Sequence, residues 1–242
     1  MKYVGFFIFA MLLAGLIGYS LFEGGGFGLK NSLEKKSIAP IKDPIPIFRQ
    51  SLAPAINSDG ISELAIIKVE AKKGTGKISI DLKNTPVISQ ETQNSIKNAG
   101  NYALQLAGKE NNMDLTFSII GKTQSIGGGS AGLAFFVISM SAILDEPLIL
   151  DTLITGGILE TGEVARVGRI LEKASVTKKN GFTALIVPYG EKMAEITPDE
   201  CARAKIQNCL PEKEIVDVEE KIGIKIIEVK NAKEAYQLMV RK

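Results

Sequence analysis

The pattern of polar and apolar positions divides the chain near residue 23. Tyr3 to Phe22 is a run of 20 residues without a charge, with Lys2 before it and Glu23 after it. At ~1.5 Å per residue such a run spans about 30 Å, the thickness of the hydrocarbon layer of a bilayer. The apolar core of a signal peptide is only about 7–15 residues, so the pattern predicts an uncleaved transmembrane anchor over residues 1–23. The small residues Gly15 and Gly18 leave a cleaved signal as the alternative. From Glu23 to about Asn57 no period is sustained, and Gly24, Gly25, Gly26, Gly28, Pro40, Pro44, Pro46 and Pro54 punctuate the stretch. Glycine lends slack and proline lends reach, so residues 24–57 read as a tether.

Beyond residue 58 the periods become regular. Ile61 to Val69 is apolar and β-branched, and Lys77 to Leu82 alternates as a strand does. With Lys72 to Lys77 as a turn, the two predict a β-hairpin. Ser89 to Gly108 has helical period with Ser89 and Thr92 as cap candidates, and Met113 to Ile119 reads as a strand. Ala131 to Leu144 is a second apolar run of 14 residues. That is too short to cross a bilayer and predicts a buried helix, stopped by Asp145-Glu146-Pro147. Strands follow over Thr152 to Leu159, Glu163 to Val167, Phe182 to Pro188 and Ile224 to Val229. Helices are expected over Arg169 to Asn180, over the charged stretch reaching Val218, and over Ala232 to Val240. Alternating strands and helices predict an α/β (α+β) domain over 58–242. No internal repeat interrupts it.

Composition narrows the chemistry. The chain is 45% apolar and 23% charged, as globular domains are. Its formal net charge is +2, so no electrostatic footprint calls for nucleic acid. There is no histidine at all. Histidine-based nucleophile systems and histidine-ligated metals are therefore excluded, and acid–base work near neutral pH needs a shifted Lys, Asp, Glu, Tyr or Cys. Cys201 and Cys209 are too few for a structural zinc site; a disulfide and two separate thiols both remain open. The Gly74-Thr75-Gly76-Lys77 stretch fails as a phosphate loop, because Ala71 stands where a glycine is required and a strand follows. No other stretch fits the pattern, so neither ATP nor any cofactor or metal is expected.

Two residues stand out as candidates. Gly127-Gly128-Gly129 allows a tight turn that delivers Ser130 to the start of the apolar helix. Free N–H groups and the positive end of the helix dipole there suit a developing oxyanion. A serine at that place also serves as an ordinary cap. Lys173 shares one helix face with Ile170, Ala174 and Thr177, whereas Lys179 points the opposite way. A lysine buried on such a face loses its ammonium form more readily and can act as a base, although a lysine can also snorkel to solvent.

Gly129-Ser130-Ala131-Gly132, Thr155-Gly156, Val167-Gly168-Arg169-Ile170-Leu171-Glu172-Lys173, and Gly181 with Ile186-Val187-Pro188 together resemble the proteolytic domain of Lon proteases. In that family the serine lies in P-S-A-G and the lysine in G-G-x-x-E-K. The spacing of 43 residues from Ser130 to Lys173, and of 25 from Ser130 to Thr155, is in register with the family. The layout resembles an archaeal branch that is membrane-anchored or exported and lacks the ATPase module. The resemblance implies an endopeptidase with a Ser130–Lys173 dyad, in which Thr155 holds the lysine and the N–H groups of Gly127 and Ser130 form the oxyanion hole. It implies polypeptide or peptide substrates and a ring-like homo-oligomer. It also implies a single-pass membrane protein with its protease domain outside the cytoplasm. The positions of Lys2 and of Lys30, Lys35 and Lys36 neither favour nor forbid that topology. Gly129 replaces the family proline, Gly127 a common acidic residue, Gly157 the glutamate of T-G-E and Arg169 the second glycine of G-G. The added glycines predict a looser loop before Ser130. A silent module of the same fold that binds peptides or proteins at the membrane is the alternative function, and an anchored assembly protein a third.

Overall fold

The computed structural model describes residues 45–56, 62–83, 85–122, 125–196 and 214–241. The expected anchor, most of the tether, and Cys201 and Cys209 lie outside them. Among the described residues no helix is long and apolar enough to cross a membrane.

The first sheet is built from β1 (Ile47–Ile56), β2 (Ser62–Lys73), β3 (Ile78–Ile80) and, after β4 (Val87–Ile88) and helix α1 (Gln90–Leu106), β5 (Met113–Ile120). Its order is β1-β2-β5-β3. Alternation orients the strands: Ala65, Ile67, Val69 and Ala71 of β2 and Leu115, Phe117 and Ile119 of β5 all face the core. Two expectations need correcting here. Ile47–Ile56, inside the predicted tether, is a strand paired antiparallel with β2. Pro54 obscured it, yet proline is tolerated on an edge strand, which is where β1 lies. The predicted hairpin across residues 72–77 also does not form. The Asp114 carboxylate accepts the N–H groups of Thr75 (2.7 Å) and Lys77 (2.8 Å), while Gly74 and Gly76 donate to Asn112 and Met113 carbonyls. The turn therefore climbs over the start of β5, and β3 pairs parallel with β5 on the side away from β2. Gly76 makes this crossing feasible: at φ +95° it passes so close to the Glu110 carbonyl that a Cβ would lie 1.8 Å from that oxygen.

After β6 (Ser125–Ile126), α2 (Gly132–Leu144) runs through the centre of the molecule. Every side chain from Leu133 to Ile143 is buried, as expected of a core helix. Helix α1 presents Ile96, Ala99, Ala103 and Leu104 to this core, and its cap is Ser89, which accepts from Thr92 N–H.

The second sheet contains β7 (Thr152–Ile154), β10 (Ala184–Pro188) and β13 (Lys225–Val229), in the order β13-β10-β7 and all parallel. Between β7 and β10 lie the small pair β8 (Gly157–Ile158) and β9 (Val164–Ala165), then α3 (Ile170–Lys179). The sheet is covered on both faces, which is why Ala184 to Val187 reads as an unbroken apolar run. Ile154, Ile186 and Val229 join the core of α2 and of the last helix, α5 (Ala232–Met239). Leu153, Leu185 and Val187 instead meet Ile170 and Ala174 of α3 and Val218 of the short α4 (Val218–Ile222). The long helix expected ahead of Val218 is not what the described residues form. Met193–Ile196 (β11) and Glu214–Asp217 (β12) pair as antiparallel strands, with 197–213 outside the description.

Candidate active site

Ser130 does not cap the apolar helix. The cap position belongs to Ala131, which makes no side-chain capping bond. Ser130 lies instead in the turn just ahead of it, half-buried, and its Oγ makes no hydrogen bond to any described residue. The turn is held from α1. Thr92 Oγ1 donates to the Gly128 carbonyl (2.9 Å), Ser95 Oγ donates to the Gly129 carbonyl (2.9 Å), and Ser89 Oγ accepts the Gly128 N–H (3.2 Å). Three hydroxyls spaced three residues apart on one helix thus brace a loop whose glycines predicted slackness. Gly128, at φ +84°, needs its glycine. So does Gly132, where a Cβ would lie 2.5 Å from Ser95 Oγ and 2.9 Å from Ile158 N. Sequence reasoning marked Ser89 and Thr92 only as caps and passed over Ser95. The signal available was the run of hydroxyls at 89, 92 and 95 along one face.

The N–H groups of Gly127 and Ser130 have no acceptor among the described residues. Both residues line a small apolar pocket of about 30 Å³, closed by Ala53, Ala65, Ile67, Ile119 and Phe135. On its other side Ser130 opens to a cleft of about 490 Å³ walled by Glu91, Asn94, Asn98 and Arg166 to Gly168.

Thr155 joins the serine to the second sheet. Its N–H donates to the Ile186 carbonyl (2.9 Å), so it continues β7 by one residue at the carboxyl end of the strand. Its hydroxyl donates to the Ser130 carbonyl (3.2 Å), and the next N–H, of Gly156, donates to the same oxygen (2.8 Å). Thr155 therefore positions the serine's backbone. The bond to Lys173 implied by the resemblance is not formed among the described residues. Crevices beyond the carboxyl ends of parallel strands are the usual ligand sites of open α/β sheets, and Thr155 stands at one.

Lys173 lies on the buried face of α3, together with Ile170, Ala174 and Thr177, and is 3% exposed. Alternation along β7 puts Leu153 and Thr155 on the same face of the sheet, and Leu153 packs against Ile170 and Ala174. Lys173 and Thr155 accordingly belong to one side of the second sheet. No hydrogen bond joins Lys173 Nζ to Ser130 Oγ in this structure; such bonds often tighten only when substrate is bound. Burial lowers the Lys173 pKa from 10.5 to about 8, against the opposing pull of Glu191 and Glu172; Arg169 adds a smaller lowering. Arg169 occupies the turn ahead of α3 at φ +63°, where the backbone favours glycine. Among the described residues no cluster of Asp, Glu or Cys is arranged to hold a metal.

Residues 62–224 match the family model of the Lon protease (S16) C-terminal proteolytic domain. The archaeal Lon protease of Methanocaldococcus jannaschii is 28% identical over 220 residues, covering 87% of this chain and 30% of that protein. The Lon protease of Heliobacterium modesticaldum is 27% identical over 161 residues, covering 61% of this chain and 20% of that protein. The mitochondrial Lon protease homolog of Candida albicans is 39% identical over 74 residues, covering 30% of this chain and 7% of that protein. The chain thus spans at most 30% of the length of these relatives.

Proposed function

The chain belongs to the Lon protease (S16) proteolytic-domain family, and on that footing we propose that it is a membrane-anchored, ATP-independent serine endopeptidase. Ser130 is the nucleophile and Lys173 the base. As Ser130 Oγ attacks the scissile carbonyl carbon, its proton passes to Lys173 Nζ. The N–H groups of Gly127 and Ser130 receive the oxyanion. The lysine then returns the proton to the leaving amine as the C–N bond breaks, leaving an ester on Ser130. Water, deprotonated by the same lysine, hydrolyses that ester and regenerates the hydroxyl. Thr155 holds Ser130 through its carbonyl.

The observation that carries this reading is Lys173: a buried amine with a pKa near 8, on the sheet face shared with the threonine that binds Ser130. A neutral amine is available at physiological pH only because burial disfavours the ammonium. The chain contains no phosphate-loop pattern, which supports hydrolysis without ATP and a preference for unfolded chains or short peptides. The uncharged run Tyr3 to Phe22 supports a single-pass anchor, with residues 24–44 as its tether. The placement of the protease domain outside the cytoplasm rests on the resemblance to the membrane-anchored or exported archaeal branch. The domain works as a homo-oligomer.

A fluorophosphonate probe tests the reading directly. Labelling of the full chain in membranes that disappears in Ser130→Ala and in Lys173→Ala, together with hydrolysis of an unfolded protein without ATP, is the expected result. Capture of peptides without labelling at any pH from about 6 to 10 would establish a silent binding module instead.

A further inference from the structure

Among the described residues only two charged side chains are buried: Lys173 at 3% exposure and Glu191 at 5%. The mechanism uses the first and leaves the second without a task. Glu191 follows the carboxyl end of β10, as Thr155 follows that of β7. Its position is closely determined. Glu191 N–H donates to the Pro188 carbonyl (3.2 Å), and the Glu228 carboxylate accepts the flanking N–H groups of Gly190 (2.8 Å) and Lys192 (2.9 Å). The turn thereby aims the Glu191 side chain inward. There Oε1 accepts the N–H of Val167 (2.8 Å) and lies 3.4 Å from Arg166 Nε, while Arg166 Nη2 donates to the Gly190 carbonyl (3.0 Å). Arg166, Val167 and Gly168 are a wall of the cleft that Ser130 opens to. The second oxygen, Oε2, is buried and has no hydrogen-bond partner.

An unpartnered buried carboxylate oxygen is costly unless a charge nearby compensates it. Arg166, 3.4 Å from Oε1, is the nearest such charge, and Lys173 is the buried one. Glu191 acts on Lys173, at more than ion-pair distance, in the sense that favours the ammonium. Helix α3 packs against β1, β2, β10 and α4. Among the described groups of these elements and their adjoining turns, the charges acting on Lys173 are Glu191 and its own-helix neighbours Glu172 and Arg169. The charges facing Glu191 are Arg166 and Lys173, with Glu228 engaged by the backbone of the same turn. Burial pushes the Glu191 carboxyl up, and the Val167 N–H and Arg166 pull it back.

We propose that Glu191 is a positioning residue for peptide hydrolysis, holding the cleft wall through Val167 and stabilising the Lys173 ammonium that forms when Ser130 gives up its proton. The proposal rests on the reading of Ser130 and Lys173 as nucleophile and base. It assigns two effects to one carboxylate, and they separate on substitution. Glu191→Gln keeps an oxygen for the Val167 N–H and removes the charge. Glu191→Asp keeps the charge and shortens the reach.

The test is the pH profile of kcat/KM on an unstructured fluorogenic peptide, paired with NMR titration of 13C-labelled lysine, the Lys173 signal being assigned by its loss in Lys173→Arg. Removing a negative neighbour lowers an amine pKa. In Glu191→Gln both the rising limb and the Lys173 titration should move down by about one pH unit. The plateau should fall several-fold, because a weaker base takes the serine proton less readily. Glu191→Asp should titrate near the wild type while KM rises as the wall loosens. A Lys173 titration that stays in place or moves upward in Glu191→Gln overturns the assignment, as does a full unit's drop in Glu191→Asp. The NMR readout decides this even without turnover, whereas undiminished hydrolysis in Ser130→Ala overturns the protease reading separately.

Discussion

The serine and the lysine are prepared by opposite kinds of surroundings. Ser130 stands in a loop made almost wholly of polar contacts. Its neighbours are clamped by Ser89, Thr92 and Ser95, its carbonyl is held by Thr155 and Gly156, and its own hydroxyl and N–H have no partner among the described residues. Lys173 stands against the apolar packing of Ile170, Ala174, Leu153 and Leu185, and the carboxylates that answer its charge, Glu191 and Glu172, only partly offset the burial. The difference follows from the task of each group. A nucleophile needs open space and donors aimed at a charge that has yet to develop. A base needs dry surroundings that make its charged form unfavourable. Exchanging the two environments would leave a buried hydroxyl and an ordinary surface ammonium.

Four experiments probe that contrast. The largest effect should come from the reacting groups. Ser130→Ala, or Lys173→Arg, whose guanidinium cannot give up its proton, should lower kcat/KM by about 10³-fold or more while the thermal midpoint stays close to wild type. Retained turnover in Lys173→Arg would remove the lysine from the mechanism. Next comes the link between the two regions. Thr155→Val loses the donor to the Ser130 carbonyl at nearly constant volume, and should cost about 10- to 100-fold in kcat and ~1–2 kcal/mol in urea unfolding, with Thr155→Ser restoring most of both. An unchanged kcat would mean that Gly156 alone holds the serine.

The braces on the loop should matter less. Ser95→Ala should reduce kcat several-fold and stability by ~1 kcal/mol, since the Gly129 carbonyl can turn to water. The last effect is one of linkage, and it is read on stability alone. The folded-state pKa of Lys173, about 8, lies below its ordinary 10.5, so between those values the unfolded chain binds more protons than the folded one. Stability should therefore rise with pH across that window and fall as pH drops through it. In Lys173→Met this contribution to the slope should vanish, which urea midpoints at about pH 7.5, 9 and 10 would reveal. Activity of the wild type should rise through the same region, with a midpoint near 8.

Much of this was legible from the chain alone, for reasons that particular elements make plain. The buried face of α3 follows from the spacing of Ile170, Lys173, Ala174 and Thr177, and the burial of α2 from an apolar run too short for a bilayer. Both are periods within a single element. β1 was hidden because Pro54 interrupts a pattern that only its pairing with β2 completes. The hairpin expected over residues 72–77 failed because Asp114, nearly 40 residues onward, captures the turn's N–H groups. Ser95 carried only the weak signal of its hydroxyl spacing from Ser89 and Thr92, and Glu191 carried none, since each becomes meaningful only against a backbone group from a different part of the chain.

The sequence by itself determined which positions are apolar, which helix carries a lysine inward, and the register of serine, threonine and lysine along one chain. Only the tertiary structure decided which strand lies beside which, that α1 braces the glycine turn, that Thr155 binds the serine's carbonyl, and that the buried carboxylate of Glu191 lies within electrostatic reach of the amine. Periodicity is written in neighbouring residues, whereas these contacts exist only after distant segments have packed together and excluded water from between them.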